Sequence, residues 1–232
     1  MFRGRRELLG LFSIDERSFG DMEDIGPEAI EEIEKAAMED SEEAIDHGIL
    51  VANLALRLAQ ELKFDEDFCK RVAEAGIVHD IGKLQISNYL YGRKEGVLRI
   101  EEIKYVRRHP TLGYENLSEK EIGDEDFRNM ILHHHENYDG SGYPDNIKGD
   151  LIPIGSRILR ICDVYAALVS ERPYRAAFDK ENAMELMIDE VKNFDMKYFL
   201  AFMRVVHGDG IKDIDDYIKR CNSKVHVKSK RR

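Results

Sequence analysis

Six of the eight histidines in this 232-residue chain fall between His47 and His135, and most have a carboxylate beside them or at a helical spacing. Imidazole and carboxylate together are the donors of a divalent or transition-metal centre. Glu43 and His47 stand four apart, so on a helix both project from one face about a turn from each other and can meet one cation. An ordinary surface pair has the same spacing. His79-Asp80 ends the apolar run Val72, Ala73, Ala75, Ile77 and Val78, where a charged pair needs a partner once withdrawn from water. Ile81-Gly82-Lys83 then brings a flexible glycine and a cation within one turn, suited to a phosphate oxygen; a plain helix terminus is the alternative. His133-His134-His135-Glu136 follows Met130-Ile131-Leu132. Consecutive helical residues diverge by about 100°, so at most two of the three imidazoles serve one cluster. Asp163 interrupts the apolar stretch from Ile158 to Val164, and either a metal or an arginine would satisfy it.

Helices must carry these groups. Ile45, Ile49, Leu54, Leu58 and Leu62 recur at three- to five-residue intervals, which predicts an amphipathic helix over 41–62. Further helices are expected over 67–79, 100–108, 127–135, 154–169 and 180–191. Gly26-Pro27 marks a helix entry, with a candidate helix over 28–38 whose first turn is acidic. No alternating strand pairs separate these segments. The stretch from Asn137 to Pro153 is irregular and rich in Gly and Asp, and a loop of that length in a compact domain is usually functional.

Composition narrows the class of protein. With 43% hydrophobic and 35% charged residues the chain can bury a core and stay soluble. A formal charge of −11 argues against duplex nucleic acid, whose phosphates call for Lys and Arg. Lys228, Lys230, Arg231 and Arg232 cluster in a basic tail expected to be frayed. Cys69, Cys162 and Cys221 are odd in number and lack a CxxC spacing, so reduced thiols are expected, at least two of them buried. No apolar run approaches a membrane span and the Leu8–Phe12 patch is too short for a signal peptide, so the cytoplasm is the expected compartment.

Taken jointly, the segments His79 to Lys83 (HDIGK), His134 to Glu136 (HHE) and Gly142 to Pro144 (GYP) resemble the HD-GYP branch of the HD phosphohydrolase superfamily. His109-Pro110, Ile152-Pro153, Arg157-Ile158 and Arg172-Pro173-Tyr174-Arg175 extend the resemblance over about residues 40 to 200. The resemblance implies an all-α helical bundle with a metal centre in its core and a long GYP loop. It implies metal ligation by Glu43, His47, His79, Asp80, His109, His134, His135 and Asp163, with Asp80 bridging two of two or three divalent ions, iron or manganese. Lys83 would contact substrate phosphate, and Tyr143, Arg172 and Arg175 would bind the dinucleotide. His133 has no ligand counterpart, and His207 and His226 lie outside the matched segments. Ala166 stands where the family commonly has a second aspartate, Lys94-Glu95-Gly96 replaces a KPG-like turn, and the loop from Asn88 to Leu98 is slightly longer.

The activity so implied is metal-dependent hydrolysis of cyclic di-GMP to linear pGpG and onward to GMP, with Asp80 and Lys83 as the catalytic pair and no protein nucleophile. Two other readings remain open: a phosphohydrolase for another cyclic dinucleotide or nucleotide, and a non-catalytic signalling module that binds a dinucleotide or proteins. The expected division is an acidic helical extension over 1–40, the HD-GYP domain over 41–220 and a basic tail over 221–232. With no receiver or sensor pattern before residue 40, regulation is expected from the acidic segment, a homo-oligomeric or signalling partner, or metal oxidation state.

Overall fold

A computed structural model describes residues 27–90, 100–172 and 175–229. Within them the chain is helical: α1 (Pro27–Glu61), α2 (Glu66–Val78), α3 (Lys83–Leu90), α4 (Ile100–Val106), α5 (His109–Glu119), α6 (Glu125–Leu132), α7 (Ile154–Val169), α8 (Lys180–Asp189), α9 (Met196–His207) and α10 (Lys212–Ser229). The one extended pairing among the described residues is an isolated bridge between Arg172 and Arg175. The all-α class expected from the sequence is the class observed.

Several starts are written locally. The side chains of Asp65, Asp124, Asp179 and Asp195 each accept a backbone N–H from the first turn of α2, α6, α8 and α9, satisfying donors that a helix leaves unpaired. The core is shared by α1 (Leu50, Val51, Leu54, Leu58), α2 (Cys69, Val72, Ala75), α7 (Ile158, Leu159, Ile161, Cys162, Tyr165) and α9 (Phe199, Phe202, Val206). Cys69 and Cys162 are buried free thiols, and Cys221 is half-buried.

Two glycines set the crossing of α1 and α2. A Cβ on Gly48 would lie 2.5 Å from the Ile77 carbonyl oxygen, and one on Gly76 would lie 2.9 Å from the Ala52 Cα. Only hydrogen fits at either point, so the backbones touch and the ends bearing His47 and His79 are drawn together. The two rings lie 5.4 Å apart, centroid to centroid.

Three features depart from the sequence reading. The helices expected over 28–38 and 41–62 are one unbroken α1, so the division at 40/41 falls inside a helix. The tail is helical to Ser229, which puts the division at 220/221 inside α10, and Lys224 is anchored, its Nζ donating to Asp46 Oδ2 at 2.7 Å. Helices α3, α5, α9 and α10 are additional to those expected. The Lys94-Glu95-Gly96 turn lies outside the described residues, as do Pro173 and Tyr174.

Candidate metal centre

Histidines 79, 109 and 134 share one local device. Each ends or begins a helix and donates its Nδ1–H to the backbone carbonyl three residues earlier: His79 to Gly76 at 2.8 Å, His109 to Val106 at 2.7 Å, His134 to Ile131 at 2.6 Å. A carbonyl only accepts, so the proton must sit on Nδ1 and the lone pair on Nε2. All three are 1% exposed or less. Their Nε2 atoms face inward and one another: His109 and His134 approach to 3.2 Å, two lone pairs with no proton between them. The Nε2 of His79 has no hydrogen-bond partner. Neutral nitrogens so arranged repel unless a cation lies among them, and a ring fixed by a carbonyl on its far nitrogen is the usual support of a metal-ligating histidine.

Asp80 is the common member. Its Oδ1 lies 3.1 Å from His109 Nε2 and 3.9 Å from His134 Nε2, and its Oδ2 lies 3.4 Å from His79 Nε2. Asp80, His109, His134 and His135 each offer a donor atom within 4.8 Å of the others, as do His47, His79 and Asp80. Asp163, one face of α7, closes the far side: its Oδ1 is 3.0 Å from His47 Nε2 and 3.7 Å from His79 Nε2, and its Oδ2 is 4.0 Å from His135 Nδ1. Among the described residues imidazoles surround Asp163, and no arginine lies within ion-pair distance of it.

Two carboxylates and two imidazoles of the cluster hold the protonation states of metal donors, which must shed their protons to bind. Burial opposes the Asp80 charge, but Lys83, His79 and His109 outweigh it and hold the carboxyl well below the usual range. Burial likewise opposes Asp163, and His47 and His79 hold it well below that range. Burial, reinforced by neighbouring imidazoles, keeps His134 and His135 neutral. His79 goes the other way: burial lowers it, yet the flanking Asp80 and Asp163 raise it overall. Burial also raises the Cys162 thiol far above its ordinary value, so no thiolate joins the donor set. Oxygen and nitrogen donors alone fit a divalent ion such as iron, manganese or zinc.

The turn after Asp80 is as tight as the α1–α2 crossing. A Cβ on Gly82 would overlap the His109 carbonyl oxygen and lie 2.5 Å from Gly113 N, so glycine lets the HD turn sit on the start of α5. Lys83 opens α3 and donates to Asp80 Oδ2 at 2.6 Å. The loop after α6 is pinned twice. Glu136, 1% exposed, accepts the Asp145 N–H at 2.7 Å, and His133 turns away from the cluster to Asp145 Oδ2 at 3.0 Å. Tyr143, between these anchors, stacks on His135 with centroids 4.8 Å apart. Burial raises its hydroxyl, which stays a protonated donor.

Three expected residues stand apart from the gathered donors. Glu43 and Arg172 line a cavity that opens beside His47, and Glu43 is not among the groups clustered within 4.8 Å. Arg175 is engaged elsewhere: its Nη1 donates to the Leu168 and Ala176 carbonyls and its Nη2 to that of Ala167, capping the end of α7, while its guanidinium lies over Phe178. Sequence reasoning missed Arg107, whose guanidinium lies over the Tyr143 ring at 5.3 Å, and Arg160, three residues before Asp163 on α7. The signal for Arg160 was present, since a cation in an apolar helix needs the same explanation as Asp163.

A sequence model of the HD domain matches residues 29–198. The chain belongs to the HD domain family. Its HDIGK, HHE and GYP segments put it in the HD-GYP branch. It is 33% identical over 160 residues to the cyclic di-GMP phosphodiesterase PA4108 of Pseudomonas aeruginosa, covering 69% of this chain and 38% of that protein. It is 35% identical over 166 residues to the 3'3'-cGAMP-specific phosphodiesterase 1 of Vibrio cholerae, covering 71% and 38%. The chain thus spans about two fifths of the length of these relatives. Among solved structures, the HDG"Y"P protein Bd1817 of Bdellovibrio bacteriovorus superposes with a TM-score of 0.58 over 71% of this chain and 53% of that one, at 20% identity, which establishes the helical HD fold. No helix of the described residues is long and apolar enough to cross a membrane.

Proposed function

We propose that this HD domain is a metal-dependent phosphodiesterase that hydrolyses cyclic di-GMP to linear pGpG and onward to GMP. One observation carries the reading: three buried imidazoles, each fixed by its own backbone carbonyl, present lone pairs to one another and to Asp80, and two relatives above 30% identity carry phosphodiesterase names. His47, His79, Asp80, His109, His134, His135 and Asp163 would hold two or three divalent ions, iron or manganese, with Asp80 common to both groups of donors. Glu43, a turn before His47, would complete the set from the cavity side.

Bound divalent ions supply two things a phosphodiester needs: acidification of water to a nucleophile at neutral pH, and neutralisation of the anionic oxygens. The protein's own groups do the rest. Lys83, paired with Asp80 and with its side chain 42% exposed, would donate to a non-bridging phosphate oxygen and stabilise the charge that develops there. Tyr143 offers a neutral hydroxyl and a ring face beside His135, suited to a base or a phosphate. Arg172 lines the cavity beside His47, where it would meet the dinucleotide. No side chain acts as nucleophile.

The identity to the 3'3'-cGAMP-specific relative favours a second substrate of the same chemical class, a mixed cyclic dinucleotide. Competition between the two in one assay separates them. Replacing Asp80 by Ala removes the group shared by both clusters, so turnover should vanish while the helical circular-dichroism spectrum is retained. Wild-type activity in that variant would sink the metal-centred reading.

A further inference from the structure

Arg160 is the cation the proposed phosphodiesterase chemistry leaves unexplained. It lies on α7 one turn before Asp163, mostly withdrawn from water, and its burial lowers its affinity for a proton. Its Nε donates to a neutral acceptor, Asn137 Oδ1, at 3.0 Å. Among the described residues no carboxylate oxygen is within ion-pair distance of its guanidinium. The contrast along the same helix is direct: Arg157 donates to Asp150 at 2.8 Å and to Asp195 at 2.9 Å. Asp163 is the carboxylate whose charge acts on it, but the Asp163 Oδ1 is turned to His47 and His79.

A buried cation without its own anion is costly, and proteins keep one where an anion arrives later. The surroundings of Arg160 say where. Its charge acts on His135, in the metal cluster, and on Tyr143, in the loop over it. Arg107 lies over the Tyr143 ring from the α4–α5 turn, which puts a second guanidinium beside this loop in a chain whose net charge is −11. Asn137 holds Arg160 at the root of the loop and donates in turn to Ser141 Oγ at 2.9 Å, tying the cation's position to that of the loop.

We propose that Arg160, with Arg107, forms the subsite beside Tyr143 for the second phosphodiester of a cyclic dinucleotide, the one not undergoing cleavage. The inference rests on the phosphodiesterase reading above. A cyclic dinucleotide carries two phosphodiesters in one ring. When the metal ions and Lys83 engage one, the other needs compensation within the same pocket, and a planar guanidinium meets a phosphate with two parallel N–H donors. Arg160 is then a substrate-binding residue, and Asn137 a positioning residue that supplies orientation without cancelling the charge.

Two variants of the full chain, both metal-loaded, test this with cyclic di-GMP as the probe. Arg160→Gln removes the charge. Asn137→Asp keeps an acceptor for Nε but places a carboxylate on the guanidinium, neutralising the subsite; it also gives up the Nδ2 donor to Ser141 Oγ, a loss that Ser141→Ala reproduces without the charge and that should leave KM unchanged. Arg160→Gln and Asn137→Asp should both raise KM and the Kd for cyclic di-GMP by about tenfold to a hundredfold, the range for losing a hydrogen bond to a charged group, with metal content unchanged. If Arg160→Gln raises KM and Asn137→Asp does not, Arg160 only braces the loop and the proposal is overturned. If neither moves KM while the wild type is active, the subsite is elsewhere and the phosphodiesterase reading stands. A wild type that neither binds nor cleaves cyclic di-GMP removes that reading, and this proposal with it.

Discussion

Asn222 offers a sharp test of how the far end of the chain supports the site, because α10 lies beyond the residues matched by the HD domain. Its Oδ1 accepts the Glu171 N–H and its Nδ2 donates to the Val169 carbonyl, both at 2.9 Å. One side chain thus satisfies a carbonyl left open at the end of α7 and fixes the residue before Arg172. Asn222→Ala deletes both bonds. At about 0.5–1.5 kcal/mol each the loss is about 2 kcal/mol, and a chain of this size loses about 2–4 °C in Tm per kcal/mol, giving a drop of about 4–8 °C. Differential scanning calorimetry of the metal-loaded variant reads the stability, and steady-state kinetics with cyclic di-GMP reads the position of Arg172. KM should rise with metal content unaltered. An Asn222→Ala protein with its Tm within about 1 °C of wild type and an unchanged KM would refute the view that α10 braces this wall of the cavity.

Gly82→Ala should lower stability by at least about 2 kcal/mol, the scale of forced overpacking, because the new methyl meets backbone of His109 and Gly113 rather than a side chain that can move; urea denaturation measures it, and bound metal should fall in parallel. Glu136→Gln keeps an acceptor for the Asp145 N–H and should leave loop protection intact in hydrogen exchange. Glu136→Ala removes the acceptor of that part-buried donor at a cost of about 1 kcal/mol, and amides over 137–146 should exchange faster in it than in the glutamine variant.

Much of the candidate site was legible because imidazoles and carboxylates are expensive to bury and therefore conspicuous. His79-Asp80 at the end of an apolar helix, and Asp163 inside one, announced themselves by the conflict between their charge and their neighbours. The limit of two cluster members from three consecutive histidines was geometric and held: His134 and His135 face the centre and His133 faces Asp145. Helix α7 was legible to the residue, since its apolar period is unbroken from Ile154 to Val169. Helix α5 was not, because it buries His109, Pro110, Gly113 and Leu117, a face with a single aliphatic side chain. Helix α9 carried a readable apolar period in Tyr198, Phe199, Phe202 and Val206. The fusion of two expected helices into α1 was hidden by the acidic stretch Glu39-Asp40-Ser41-Glu42-Glu43, which resembles a helix start yet continues one. Arg175 illustrates a different limit: a motif predicts a residue's presence, while the carbonyls at the end of α7 decide where its guanidinium goes.

The central claim is that inward-facing imidazoles and carboxylates hold metal ions that break a phosphodiester. The most direct measurement is metal analysis of anaerobically purified protein, followed by incubation with cyclic di-GMP and chromatography of the products with and without a chelator. The account predicts two or three divalent ions per chain and metal-dependent appearance of pGpG. Protein that binds no metal, or product formed at the same rate after chelation, would contradict it.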